Sequence, residues 1–143
     1  NEVAFGELVR GMHHWGASLV IVMMFLHTLR VFFTGSYKKP RELNWIVGVG
    51  IFGVMMGLGF TGYLLPWDMK ALFATKVGIE IAASVPFIGE YIKILLAGDS
   101  TILGAQTLTR FFAIHVFFLP AALFALLAAH FIMIRRQGIS GPL

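Results

Sequence analysis

The stretch "GMHHWGASLVIVMMFLHTLR", residues 11–30, decides the fold class. It is apolar along most of its length and is long enough to cross a bilayer, which takes roughly 20 residues. It also carries His13 and His27, and polar side chains inside a membrane span are costly and usually functional. The stretch therefore predicts a membrane-spanning helix that contributes to a site, and the groups facing the histidines must indicate which site.

The composition is that of a membrane protein. Hydrophobic residues make up 58% of the chain and charged residues 13%, whereas an average soluble domain is about 25% charged. Three segments are apolar for roughly the length of a span, at about 11–34, 45–67 and 111–134. The sequence predicts an all-α transmembrane fold and one domain over residues 1–143.

A charged segment separates the second predicted span from the third. At about 77–97 it mixes apolar residues with acids and a lysine, so it is too polar to cross the membrane. Pro86 and Gly89 interrupt it. It is predicted to form one or two short amphipathic helices on the membrane surface.

The basic residues follow membrane topology. The loop at 35–44, the adjoining Arg30 and the C-terminal end hold six basic residues against one acid, and the opposite side holds five against six. By the positive-inside rule, the first group faces the cytoplasm or its equivalent. This distribution argues against nucleic-acid binding. The chain has no cysteine, which excludes disulfides, thiolate metal sites and covalent haem attachment within it.

Four histidines form two pairs. His13 and His27 are 14 residues apart on the first span, and His115 and His130 are 15 apart on the third. In an α-helix, 14 steps end about 40° short of four full turns and 15 steps end about 60° past them. The two histidines of each pair therefore lie roughly on one helix face, separated by about 21 Å along the axis. The first and third spans run parallel, so His13 is expected level with His115, near the non-cytoplasmic side. His27 is expected level with His130.

Two levels with two facing imidazoles each suit bis-histidine haem ligation, whereas zinc needs three or four converging ligands. The alternative is that each histidine is only a satisfied polar residue. Gly48 and Gly62, also 14 apart, would leave room for a flat macrocycle or serve only helix packing. Three arginines near span ends could bind haem propionates or extend to the interface; they are Arg10, Arg30 and Arg110.

The chain resembles the haem-bearing N-terminal half of cytochrome b from quinol-oxidising complexes, and within that family the cytochrome b6 type. The resemblance covers residues from about Phe5 to Leu143 and rests on these motifs: "HHWGAS", "FLHTLRV", "TGSYKKPRELNW", "GYLLPWD", "TRFFAIH" and "RRQGISGPL". The spacing of 15 between His115 and His130 points to the b6 type. The family implies two haem b groups in a four-helix bundle, with one further helix expected before residue 1.

The resemblance implies a role for each matching residue. His13 and His115 would ligate the haem nearer the positive side, and His27 and His130 the other. The implied haem contacts are Arg10, Arg30, Trp45, Gly48 and Gly62. Arg110 is a further predicted haem contact, from its place near a span end. The implied quinone-site residues are Phe73, Ala74 and Lys76, at the wall of the quinol-oxidation pocket, and Arg135, near the quinone-reduction site. No side chain is expected to perform catalytic chemistry itself.

The resemblance also implies an enzyme complex in which this chain is one subunit. Electrons would pass from quinol oxidation on the positive side to quinone reduction on the negative side, coupled to proton translocation. The expected partners are a Rieske iron–sulfur protein, a subunit carrying the C-terminal half of cytochrome b, and a c-type cytochrome or equivalent acceptor, in a homodimeric complex.

The expected location is the bacterial cytoplasmic membrane or the thylakoid. A third, covalent haem is expected only if the region before residue 1 carries a cysteine. Two rival functions are a cytochrome b that anchors a membrane dehydrogenase and a haem-free membrane scaffold or transporter.

Overall fold

The computed structural model describes residues 3–98 and 103–140, which are largely helical. The elements are α1 (Gly6–Phe33), α2 (Glu42–Leu64), α3 (Met69–Ala83), α4 (Gly89–Ala97), α5 (Ala105–Ala113), a π-helical turn (Ile114–Phe118) and α6 (Leu119–Gln137). Within the described residues, three helical stretches are long and apolar enough to cross a membrane: α1, α2 and the continuous helix Ala105–Gln137. This confirms the all-α transmembrane fold class, with shorter helices between the second and third spans. The last three residues of "RRQGISGPL" lie outside the described residues.

The spanning helices leave large apolar side chains exposed. Helix α1 has no buried residue, and Trp15 and Phe33 are 73% and 77% exposed. Exposed apolar surface of this extent suits a lipid environment, because a soluble protein rarely leaves so large a patch uncovered. The chain is an integral membrane protein on this basis.

Residues 57–122 form one compact unit. Its core consists of Leu64, Ile79, Ala97 and Phe111. The turn after α2 ends at Asp68, whose Oδ1 accepts a hydrogen bond from the Ala71 backbone N–H at 2.8 Å. This N-cap explains why α3 begins at Met69, earlier than the predicted start near 77, because a capping carboxylate satisfies an otherwise unpaired amide.

A second contact within this unit joins the surface helices to the third span. The Thr107 hydroxyl, which is fully buried, donates to the Ala97 carbonyl at 2.8 Å. Ala97 is the last residue of α4 and Thr107 lies in the first turn of α5. The hydrogen bond satisfies one of the carbonyls that a helix C-terminus leaves unpaired.

Residues 1–56 and 123–143 form the other compact unit. Within it the loop after α1 contacts the C-terminal segment: the Ser36 hydroxyl donates to Ser140 Oγ at 2.9 Å, and Arg41 Nη2 donates to the Ile139 carbonyl at 3.2 Å. The loop also contributes Tyr37, whose ring lies 5.5 Å from that of Trp45. These contacts bring the predicted basic loop to the C-terminal end of α6.

The turn between α3 and α4 yields a test of the fold. A Cβ atom on Gly89 would lie 2.0 Å from the Ala83 carbonyl oxygen, which is backbone and cannot move aside cheaply. We expect Gly89→Ala to destabilise the protein by about 1–3 kcal/mol, the usual range for a steric defect. The measurement is the thermal midpoint of the purified complex. Gly53→Ala is the control, since a Cβ there meets nothing within 4 Å, and an equal effect of both substitutions would contradict this account.

Candidate functional site

A cavity of about 610 Å³ lies within the unit formed by residues 1–56 and 123–143. This volume is within the usual range of ligand pockets, about 300–1,000 Å³. The lining is mainly apolar, from α1, α2 and α6. Five residues predicted for one haem site line it together: His27, Arg30, Trp45, Gly48 and His130.

His130 lies between the other predicted residues of this cavity. A Cβ atom on Gly48 would be 3.5 Å from Cε1 of His130, which is ordinary van der Waals contact. His27 lines the same cavity as the His130 ring. The backbone of Asn44 lies near this ring, yet Nδ1 is buried and has no hydrogen-bond partner of normal geometry. An ordered water is one way in which such a buried nitrogen is satisfied.

Several residues of the cavity lining were not predicted from the sequence. Among them are Tyr37, Arg41 and Asn44. Each lies within the motif "TGSYKKPRELNW", of which only Trp45 had been assigned to the site. Asn44 Oδ1 is buried without a hydrogen-bond partner, so this amide is available to a polar group of a ligand. Its position next to Trp45 was the signal that could have identified it.

His115 is positioned within the other unit by two neighbouring residues of α2. Its Nδ1 lies 3.0 Å from Thr61 Oγ1, at hydrogen-bond distance. A Cβ atom on Gly62 would lie only 2.7 Å from Cε1 of His115, closer than real Cβ contacts allow. Gly62 therefore makes room for the imidazole itself, whereas the sequence had suggested either room for a macrocycle or close helix packing.

A π-helical turn, Ile114–Phe118, contains His115. The Leu119 N–H donates to the Ile114 carbonyl, five residues earlier. Pro120 accounts for this turn, because a proline ring clashes with the carbonyl four residues before it in a regular α-helix. The spacing argument from the sequence holds for an uninterrupted α-helix and does not contain this turn, although Pro120 is a signal for it. Single π-turns of this kind occur often at functional sites.

The remaining predicted residues lie on several elements. His13 and Arg10 are on α1, in the same helix as His27. Phe73 and Lys76 are exposed on α3, while Ala74 is partly buried and packs against the core of its unit. Arg135 is in the last turn of α6, where a positive charge interacts favourably with the helix dipole.

Arg110 makes contacts that the sequence did not predict. Its Nη1 donates to the Ile94 carbonyl at 2.6 Å and also to the Leu95 carbonyl. Both carbonyls belong to the last turns of α4, so the guanidinium caps this helix C-terminus. The predicted haem-propionate contact of Arg110 stays a prediction, and it would have to coexist with this capping role.

The donor set fits haem better than a multidentate metal site. Among residues 3–98 and 103–140, no group of three or more His, Asp or Glu side chains could hold a metal ion. His27 and His130 instead meet in a largely apolar cavity with Arg30 at its lining. Paired imidazoles, an apolar surround and a nearby cation are what a haem with axial histidines and propionates requires.

Comparisons with known proteins show what the chain is similar to. Residues 18–143 match the family described as "Cytochrome b(N-terminal)/b6/petB". The chain is 84% and 83% identical, over all 143 residues, to the menaquinol:cytochrome c reductase cytochrome b subunits of Geobacillus thermodenitrificans and Bacillus subtilis. It is 49% identical to cytochrome b6 of Heliobacterium modesticaldum. The chain spans 64% of the length of the first two proteins and 67% of the third.

The contact between Gly62 and His115 yields a prediction. We expect Gly62→Ala to displace the His115 imidazole and remove most of one b-type haem, because the added methyl group has no space beside the ring. Difference spectra of the purified complex, dithionite-reduced minus oxidised, measure this loss. Gly53→Ala on the same helix is the matched control. An unchanged content of b-type haem in Gly62→Ala would show that the close approach is not a constraint.

Arg110 permits a test that separates its two roles. We expect Arg110→Met to lower the thermal midpoint of the complex, since the Ile94 and Leu95 carbonyls lose the guanidinium as a donor. Unchanged haem potentials would leave Arg110 with the capping role alone. The control is Lys93→Met, which removes an exposed ion pair with Glu80 at 3.7 Å and should cost little. A shifted haem potential with unchanged stability would instead assign Arg110 to a propionate.

Proposed function

Because the chain belongs to the cytochrome b(N-terminal)/b6/petB family, we propose that it is the di-haem electron-transfer subunit of a Rieske-containing quinol oxidoreductase. Electrons from quinol oxidised on the positive side would cross the membrane through this subunit toward quinone reduction on the negative side, coupled to proton translocation. We propose menaquinol as the substrate, since it appears in the names of the Geobacillus and Bacillus relatives.

The cavity that holds His27 and His130 carries this proposal. One imidazole comes from α1 and the other from α6, and Gly48 of α2 lies against the second. In this proposal the two rings ligate the haem nearer the negative side. Arg30 would neutralise a propionate there, and Trp45 would supply a hydrogen-bond donor.

The proposed second haem, nearer the positive side, uses His13 and His115. The π-turn supports this assignment. A π-turn contains one residue more than an α-turn, so the 15 steps from His115 to His130 correspond to about 14 α-helical steps. The corrected offset is then about 40° short of four turns, the same as that of His13 and His27.

The residues of this chain would hold, orient and tune the cofactors. A bound haem b supplies a reversible one-electron iron couple. The histidines fix the depth of each group in the membrane, and the arginines offset propionate charge. The apolar side chains of the cavity exclude water, which strengthens each of these electrostatic contacts. No side chain of the chain is proposed to act as a nucleophile or to form a covalent intermediate.

The quinone sites are proposed at the two ends of this pathway. Phe73 and Lys76, exposed on α3, would contact quinol at the positive side together with Ala74. Because Ala74 also packs against the core of its unit, Phe73 is the better position for mutagenesis. Arg135, exposed at the end of α6, would attract the anionic forms of a quinone near the negative side.

The proposed complex contains further subunits. These are a Rieske iron–sulfur protein, a subunit with the C-terminal half of cytochrome b and a c-type cytochrome or equivalent acceptor, arranged as a homodimer. We propose the bacterial cytoplasmic membrane as the location, with the thylakoid as the counterpart in a photosynthetic chain.

Histidine variants of the whole complex test the proposal. We expect His27→Ala and His130→Ala to remove the same b-type haem, and His13→Ala and His115→Ala to remove the other, because each pair would supply both axial ligands. Redox titration followed by visible spectroscopy identifies the haem that is lost. His14→Ala, which changes a neighbouring imidazole outside the proposed ligand set, should retain both.

Loss of one haem by His27→Ala and of the other by His130→Ala would contradict the pairing. Retention of both haems in all four variants would remove the haem proposal and favour a membrane scaffold.

A further inference from the structure

Thr61 lies where it can control the chemical state of the His115 imidazole. It is on α2, immediately before Gly62, and only 5% of its surface is exposed. Its Oγ1 lies 3.0 Å from His115 Nδ1 and 2.8 Å from the Gly57 carbonyl oxygen. The Leu58 carbonyl is somewhat farther, at 3.3 Å. The hydroxyl is thus placed between a ring nitrogen and backbone carbonyls.

The two hydrogen bonds determine the direction of donation. A carbonyl oxygen can only accept, so the single hydroxyl proton of Thr61 points to Gly57. Toward His115, Oγ1 then offers a lone pair, and the ring must donate Nδ1–H. An imidazole protonated on Nδ1 carries its available lone pair on Nε2, the nitrogen that can bind iron.

We propose that Thr61 is a positioning residue that fixes His115 as the Nδ1–H tautomer and tunes the haem it ligates. This inference rests on the proposed function, in which His115 is an axial ligand. Accepting the Nδ1–H bond makes the imidazole a stronger electron donor, as the outer partners of metal-bound histidines generally do. A stronger donor favours the oxidised iron and therefore lowers the reduction potential.

Gly62 allows the His115 ring to lie close enough to α2 to reach Thr61. The missing side chain lets the His115 ring approach α2 closely, with Cε1 only 2.7 Å from the position of a Cβ atom. A ring held against the helix in this way keeps Nδ1 within reach of Thr61. The adjacent pair Thr61–Gly62 therefore provides both the acceptor and the space, and α2 has a contact role beside the haem even though it supplies no ligand.

The test removes the Thr61 hydroxyl with little change in side-chain shape, in the intact complex. We expect Thr61→Val to raise the midpoint potential of the haem that His115→Ala removes, and to leave the other potential unchanged. Thr61→Ser keeps the hydroxyl and should restore the parental potential. Thr75→Val is the matched control: Thr75 is fully buried and donates to the Ala71 carbonyl at 2.8 Å, and its loss should shift neither potential.

Thr61→Ala covers the case in which the valine side chain impairs assembly, and the same upward shift is expected. Thr61→Val and Thr61→Ala could instead both lose this haem and retain the second one. If Thr61→Ser then keeps this haem, the requirement for the hydroxyl is also supported. An unshifted haem potential in Thr61→Val or Thr61→Ala, with the haem present, would overturn the proposal. A loss of this haem, or a shift of its potential, in Thr61→Ser equal to that in Thr61→Val would overturn it too. Failure of the proposed function is distinguishable, because His115→Ala would then retain both haems.

Discussion

An imidazole inside a membrane-spanning helix needs space beside a neighbouring helix and a partner for its polar atoms. Helix α2 supplies the space at two positions, 14 residues apart. Gly48 lies against His130, and Gly62 lies against His115 more tightly, leaving no room for even a methyl group. At His115 the helix also supplies a hydrogen-bond partner in Thr61. At His130 the protein leaves Nδ1 without a hydrogen-bond partner. The two histidines therefore differ in whether a protein side chain satisfies the Nδ1 atom.

Hydrogen bonds at helix termini connect the surface helices to the span that carries His115. Asp68 caps α3, while Thr107 and Arg110 bind carbonyls at the end of α4. Each of these bonds satisfies a backbone group that a helix terminus otherwise leaves without an intrahelical partner. They join the surface helices to the helix that carries His115. In the other unit, Ser36 and Arg41 join the loop after α1 to the segment after α6.

Much of the fold class and part of the site could be predicted from the sequence. Apolar length identified the three spans, and five predicted residues line one cavity. Periodicity could not reveal the π-turn, because an angle per residue assumes one helix type throughout, and Pro120 changes that type locally. The pairing of Thr61 with His115 depends on how two helices approach each other, which spacing along one chain does not contain. Arg110 was assigned from its place near a span end, although the capping of α4 depends on contacts 15 and 16 residues away.

The measurement that tests the central claim most directly is a haem count combined with a redox titration of the purified subunit in its complex. Haem extracted as the pyridine derivative, set against the amount of this polypeptide, gives the stoichiometry of b-type haem. The account predicts two non-covalent haems per chain that titrate as two one-electron components with different potentials. One haem per chain, or none, would contradict it, because one or both histidine pairs would then have no cofactor to ligate.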